Sequence, residues 1–256
     1  MKNYRFIRSV AAFMLRDMAT SYGRHPGGFL WAFVEPIAAI SLLTIVFSMA
    51  FRAPALGDNF ALFYASGYLP FMLYSELSGK ISQSIKSSRP LLMYPTVNFF
   101  DAIAARFLLC LVVHLVVFCV VIQLILLSTG TNHILDMRRV MQSLLMASSL
   151  GLGVGTLNCF LSSRMPVWDR IWSIANRPSF IIAGIFFTYE SVPEPVRSYL
   201  WYNPLIHIVG EMRGGIYPTY DASYVNNGYV FIIANTCLFV GLLLLLRNHR
   251  AVIHNG

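Results

Sequence analysis

Residues 29–51 read FLWAFVEPIAAISLLTIVFSMAF. The run holds one charged residue, Glu35, beside Pro36, and is otherwise apolar or weakly polar. A helix needs about 20 such residues to cross the hydrocarbon core of a bilayer. The composition extends that reading to the whole chain: its 256 residues are 57% hydrophobic and only 12% charged. A soluble domain usually carries roughly a quarter charged residues. The sequence therefore predicts an all-α integral membrane protein with no separate soluble domain.

Five further segments fit this pattern: 60–79, 107–127 (with a start as early as Asn98), 140–161, 171–189 and 229–246. The second and fifth of the six hold proline and polar residues. Lys and Arg are retained on the cytoplasmic side, which sets the orientation. With both termini inside, the inner segments carry Lys2, Arg5, Arg8, Arg16, Arg24, Lys80, Lys86, Arg89, Arg106, Arg164, Arg170, Arg247 and Arg250. The outer segments carry Arg52, Arg138, Arg139, Arg197 and Arg213, and Arg177 falls inside the fifth segment. Six spans with N-in, C-in topology follow. The net charge of +8 then anchors the chain at the membrane, and no nucleic-acid partner is needed to explain it.

Three units are expected: an amphipathic interface helix over 1–28, a six-helix membrane domain over 29–247 and a cytoplasmic tail over 248–256. The N-terminus lacks the uninterrupted apolar core of a signal peptide, because Arg8, Arg16 and Asp17 break it. At 100° per residue, Tyr4, Ile7, Val10, Ala11, Met14, Leu15, Met18 and Tyr22 share one face, with Lys2, Arg5, Ser9, Arg16 and Thr20 opposite. That pattern suits a helix lying on the inner leaflet; docking on protein is the alternative. Between 190 and 228 the chain is too apolar for a free loop and too broken to span. Such a segment dips into the outer leaflet and returns, tolerated where its backbone is buried or lines a wet cavity. Within it, His207, Glu211 and Arg213 stand at helical spacing, where they can pair among themselves.

Cys110, Cys119, Cys159 and Cys237 all lie in apolar segments without metal-ligand spacing, and read as reduced small hydrophobes. His114 reads as a hydrogen-bonded interior residue. No metal site and no catalytic residues are expected, since the zinc, serine-hydrolase and phosphate-loop signatures are missing. GLGVG at 151–155 falls in mid-segment, and Ala147, Gly151 and Gly155 recur every four residues, a face for close helix packing.

Three motifs carry a resemblance. The first joins Tyr22, Gly23, Gly28, Leu30, Trp31 and Pro36. The second runs through Ile85, Leu91, Leu92, Pro95, Asp101, Ala105 and Arg106. The third holds Pro178, Gly184, Pro195, Trp201, Asn203, Pro204, Leu205, His207, Glu211 and Arg213. In this order they resemble the membrane subunits of type-2 ABC exporters, especially those for capsular polysaccharide. Ser87-Ser88 stands where that family usually has asparagine. The resemblance implies a homodimer in the bacterial inner membrane that moves a lipid-linked polysaccharide. It implies two ATPase subunits below the dimer, which bind ATP and Mg, and export partners in the periplasm and outer membrane. It also implies that Arg89, Pro90, Leu91, Leu92, Met93, Tyr94 and Pro95 couple to the ATPase. Prolines bounding a short helix around an apolar knob suit that role; a loop folded back on the membrane is the alternative.

Sugars stack their C–H faces on aromatic rings, so Tyr68, Phe71 and Tyr74, with Phe180, Phe187 and Tyr189, are candidates for the translocation path. Lipid-facing filler is the alternative for each. Tyr22, Arg24, Trp31 and Glu35 mark a cytoplasmic entrance, with Glu35 in reach of Arg24 and Pro36 able to kink the span. The near-uniformly apolar third and sixth segments should face lipid. Two other classes remain open at this stage: an ion-coupled secondary transporter using Glu76, His114 or Arg177, and a type-2 exporter of O-antigen, teichoic acid or drug.

Overall fold

A computed structural model describes residues 2–21, 28–92, 98–129, 135–165 and 167–254, and among them every regular element is helical. The helices are α1 (Lys2–Ser21), α2 (Gly28–Ala50), α3 (Phe60–Ser82), α4 (Ser84–Leu92), α5 (Phe99–Thr129) and α6 (Met137–Arg164). They continue with α7 (Trp168–Ile182), α8 (Val196–Leu200), α9 (Pro204–Ile216) and α10 (Asn227–His254). A single 3-10 turn spans Tyr189–Ser191. Among the described residues, four helices are long and apolar enough to cross a membrane: α2, α5, α6 and α10.

The axis of the fold is α3. Leu62, Phe63, Leu73, Leu77 and Ile81 on this helix are almost wholly buried. Its start is fixed by Asn59, whose side chain accepts the amide of Leu62 at 3.1 Å, as an N-cap should. A helix so enclosed can carry Pro70 in its buried part and the Glu76–Lys80 pair beside a cavity, which explains its weak apolar signal in the sequence.

Close approach of α6 builds the rest of the core. A Cβ added at Gly151 would lie 2.8 Å from the Leu77 Cβ, and one at Gly155 would lie 2.8 Å from the Ile81 Cβ. Ala147 is buried on the same face, so the four-residue small stripe is the α3–α6 contact. The intervening Gly153 turns the other way. A Cβ there would come 2.2 Å from the carbonyl oxygen of Ala234 on α10. Backbones this close gain dispersion contacts that larger residues would forfeit. On α5, Val113, Val117 and Val121 face the core, while Val112, Val116 and Leu124 are exposed. Ile232, Phe239 and Leu243 on α10 are likewise exposed. One stripe of each of these two helices thus packs on protein and the other is free to meet lipid.

The structure revises three expectations. Segment 171–189 is not one continuous helix. The φ of Gly184 is +80°, a left-handed conformation that closes a helix C-terminus at low cost only for glycine. So α7 ends at Ile182 after 15 residues, about 22 Å of rise at 1.5 Å per residue. The coupling segment also differs, because α4 starts at Ser84 and carries Pro90 inside it, so Pro90 does not begin the helix. Leu91 and Leu92 complete α4, and Met93, Tyr94 and Pro95 lie outside the described residues. Finally, α1 docks on protein along one stripe. Val10, Phe13 and Met14 pack on Ala102, Ala104 and Ala105 of α5. Leu15 and Met18, on the neighbouring stripe, stay exposed. At the other end of the chain, α10 passes a non-helical residue at Asn248, where the tail was expected to begin.

Candidate functional site

A groove of about 710 Å³ opens between α2, α3 and α7, within the ~300–1,000 Å³ usual for ligand sites. Ala39, Leu42 and Leu43 form one wall, Tyr68, Phe71, Ser75 and Gly79 the floor, and Trp172, Ser173, Asn176, Arg177 and Phe180 the other wall. The Phe180 ring meets Tyr68 edge-on at 6.2 Å and Phe71 at 5.5 Å. It also meets Phe186 at 5.2 Å, which leans on Phe47 of α2 at 5.6 Å. These edge-to-face and stacked contacts hold the rings in place and leave aromatic surface toward the opening.

Of the six path candidates, Tyr68, Phe71 and Phe180 line this groove. Tyr74 is buried in the core behind them. Phe187 lies past the α7 break, and Tyr189 stacks on Tyr224 at 4.1 Å. Trp31 and Glu35 are both exposed on α2, and the helix runs regularly from Gly28 through Pro36. Tyr22 and Arg24 lie outside the described residues.

The helix wall α7 is held at its two ends and buries no residue between them. At one end Trp168 donates its indole N–H to Asn158 at 2.9 Å. Asp169 accepts from Lys86, Ser162 and Gln83. Burial alone would raise its pKa, but the hydrogen bonds and charge of these neighbours outweigh it and hold the Asp169 carboxyl below the ordinary range.

The same pole holds a second junction, centred on Arg106. Its guanidinium donates to Asp17 of α1 at 2.9 Å, to the Lys80 carbonyl of α3 at 2.9 Å and to Ser87 of α4. Arg16 reaches Ser88 at 3.1 Å, and Glu76 pairs with Lys80 at 3.1 Å. A cavity of about 300 Å³ lies among Asp17, Glu76, Lys80 and Arg106. One arginine thus ties four helices together, linking α4 to α1, α3 and α5. Ser87-Ser88 supplies two of these junction contacts. The sequence signal was only the A-R pair of Ala105-Arg106; its partners are distant in the chain.

At the opposite pole Arg213 is buried. It donates to the carbonyls of Phe187 at 2.6 Å and Ile185 at 3.0 Å, and its guanidinium lies 4.3 Å over the Phe63 ring. It thereby holds the extended chain that follows α7. Neither His207 nor Glu211 is its partner. His207 Nε2 donates to the Trp201 carbonyl at 2.8 Å, and its Nδ1 accepts the Asn226 amide at 3.2 Å, so the ring is neutral. No ion pair joins His207, Glu211 and Arg213 among the described residues. Helical spacing placed them together on α9, but tertiary packing aims each at a different segment. In mid-bundle His114 bonds the Cys110 carbonyl at 2.9 Å, and all four cysteines are free thiols.

A polytopic helical membrane protein with a lateral aromatic groove and a basic junction at one pole is the class that fold and site define. The comparisons with known proteins agree. The chain is 26% identical over 245 residues to the polysialic acid transport protein KpsM of Escherichia coli, covering 96% of this chain and 95% of that one. It is 26% identical over 248 residues to the capsule polysaccharide export inner-membrane protein CtrC of Neisseria meningitidis serogroup B, covering 96% and 92%. It is also 24% identical over 238 residues to BexB of Haemophilus influenzae, with the same description, covering 93% and 89%. No protein-family model matches the chain. The resemblance read from the three motifs therefore extends over nearly the whole chain, and the protein is an inner-membrane protein.

Proposed function

We propose that this chain is the membrane-spanning permease subunit of an ATP-driven exporter of capsular polysaccharide. The observation that carries the reading is the end-to-end similarity to three capsule export or polysialic acid transport proteins. The architecture supports it. Helix ends gather at two poles, and the pole built around Arg106 and Asp169 is the basic one, as the cytoplasmic side should be. The reading has six crossings, by α2, α3, α5, α6, α10 and α7 extended by the chain that follows it, with both termini inside. The segment from the 3-10 turn through α9 forms a re-entrant cap on the outer side, with α9 buried against α3 and α6 and the turn and α8 toward the outer surface.

In this reading the chain hydrolyses nothing and holds no cofactor. ATP and Mg belong to two separate ATPase subunits that dock below a homodimer. The coupling element is α4 with the residues after it, from Arg89 to Pro95. A push on α4 reaches α1, α3 and α5 through Arg106 and reaches α7 through the Lys86–Asp169 pair. The groove of Tyr68, Phe71 and Phe180 is one half of the path, closed by a second copy. Its aromatic faces suit the C–H faces of sugars and its Ser and Asn side chains their hydroxyls, so a polymer can bind weakly and slide. Envelope proteins on the far side would receive it.

Deletion of the gene tests the proposal. Surface capsule should disappear, with polymer retained inside the cell, and tagged protein should co-purify with a phosphate-loop ATPase. Normal capsule in the deletion strain, or transport by the purified chain without any ATPase, would refute it.

A further inference from the structure

We infer that Arg177 on α7 makes the groove selective for an oxyanion, a carboxylate or phosphate carried by the molecule that enters it. The inference rests on the export reading of the groove and adds the chemistry it selects. Arg177 is exposed, stands on the groove wall with Asn176 and Ser173, and lies eight residues beyond Asp169, about 12 Å farther along the helix axis. That places it well inside the apolar part of the chain. An ionised side chain at such depth needs a compensating partner or a wet cavity, and marks a functional site by default.

Within one copy, the described residues supply no such ionic partner, and no ion pair among them involves Arg177. Glu76, below the same groove, is taken up by Lys80. Glu35 is exposed on the opposite helix α2 and forms no pair with Arg177. Other buried or junction arginines of the molecule are satisfied by the chain itself: Arg213 by two carbonyls and Arg106 by Asp17, Lys80 and Ser87. Arg177 is the exception, and it lines the groove between α2, α3 and α7. Guanidinium presents paired N–H donors that match a carboxylate or phosphate in two-point contact. The aromatic floor opposite it accepts an apolar face. Together they fit a molecule with one anionic group beside a flat C–H surface.

Two sources share that chemistry, an acidic sugar and a lipid phosphate, and binding assays on full-length protein in detergent micelles separate them. Three probes are used: a hexuronic acid oligomer, a neutral N-acetylhexosamine oligomer of the same length, and dihexanoylphosphatidylglycerol set against dihexanoylphosphatidylcholine. A charge-assisted contact should favour the anionic probe by about tenfold or more. The preference should vanish in Arg177→Gln and largely return in Arg177→Lys, with the thermal transition unchanged because the side chain is exposed. Preference for the uronic acid oligomer assigns the oxyanion to the glycan, and preference for phosphatidylglycerol assigns it to the lipid. Equal binding of charged and neutral probes by the unmodified protein, or a preference that survives Arg177→Gln, overturns the inference. A Tyr68→Ala, Phe180→Ala double variant tests the underlying reading separately. If neutral oligomer binding does not depend on those rings, the glycan groove itself is wrong, whatever Arg177 does.

Discussion

Arg213 on α9 donates to the Phe187 carbonyl at 2.6 Å, across 26 residues of chain, while its guanidinium covers the Phe63 ring of α3. A fully buried charge thus fastens the break after α7 to the core helix. Removing it takes the donor from two carbonyls, those of Phe187 and Ile185. Arg213→Met should lower stability by about 2–5 kcal/mol, and Arg213→Lys by less, since an ammonium can still reach one carbonyl. Thermal unfolding in detergent distinguishes these outcomes; equal transitions for all three proteins would show that the clamp carries no stability.

Glycine positions on α3 and α6 give opposite expectations for the same substitution. Gly153→Ala must push α10 away, because the new methyl would sit 2.2 Å from the Ala234 oxygen, and overpacking of this kind costs about 1–3 kcal/mol or more. Gly79→Ala meets nothing within 4 Å and should be neutral or stabilising by up to ~1 kcal/mol from helix propensity. The difference in melting temperature between the two variants is the readout.

The junction at Asp169 should depend on pH in one direction. Its carboxyl is held below the ordinary range, with burial opposing and the contacts from Lys86, Ser162 and Gln83 prevailing. Its contribution is therefore complete above the unfolded-state value of about 3.9 and fades only as pH falls through the lower folded value. The pair is partly exposed, so its stabilisation should be about 1 kcal/mol or less. The melting temperatures of the unmodified protein and Asp169→Asn should differ by a constant amount from pH 8 to pH 5 and converge below about pH 4. Convergence near neutral pH would contradict the assignment.

Cysteine scanning in a background lacking Cys110, Cys119, Cys159 and Cys237 checks the groove. Single cysteines at Tyr68, Phe71 and Phe180 should react with a water-soluble thiol reagent, and more so during ATP turnover. Cysteines at Val116 and Leu243, both on exposed apolar faces, should be shielded by lipid, and one at Tyr74 should be shielded by the core. Equal protection of the groove and lipid-facing sets would put the path elsewhere.

Coupling is testable at the end of α4. Leu91→Asp and Leu92→Asp should leave the protein in the membrane but abolish export, since burying even a neutral polar group without a partner costs about 2–7 kcal/mol and an unpaired charge costs more. Normal capsule export and normal ATPase binding in both variants would exclude this helix as the docking element.

The sequence by itself determined that the chain lives in a membrane, because hydrophobic run length must match bilayer thickness whatever the packing. It also determined the small-residue stripe of α6, since Ala147, Gly151 and Gly155 fall on one helix face by geometry alone. Three of the four aromatic residues of the groove, Tyr68, Phe71 and Phe180, were legible only as members of a larger set, and the fourth, Trp172, was not in it; nothing local separates Phe180, which lines the groove, from Phe187, whose carbonyl is clamped by Arg213. Tertiary structure decided such differences. The φ of +80° at Gly184 ends α7 early, which no hydropathy window detects. The partners of Arg106, Arg213 and Asp169 come from segments far apart in the chain. Hydrogen bonds and charge contacts act over a few ångströms of space, and sequence distance sets that separation only within one helix.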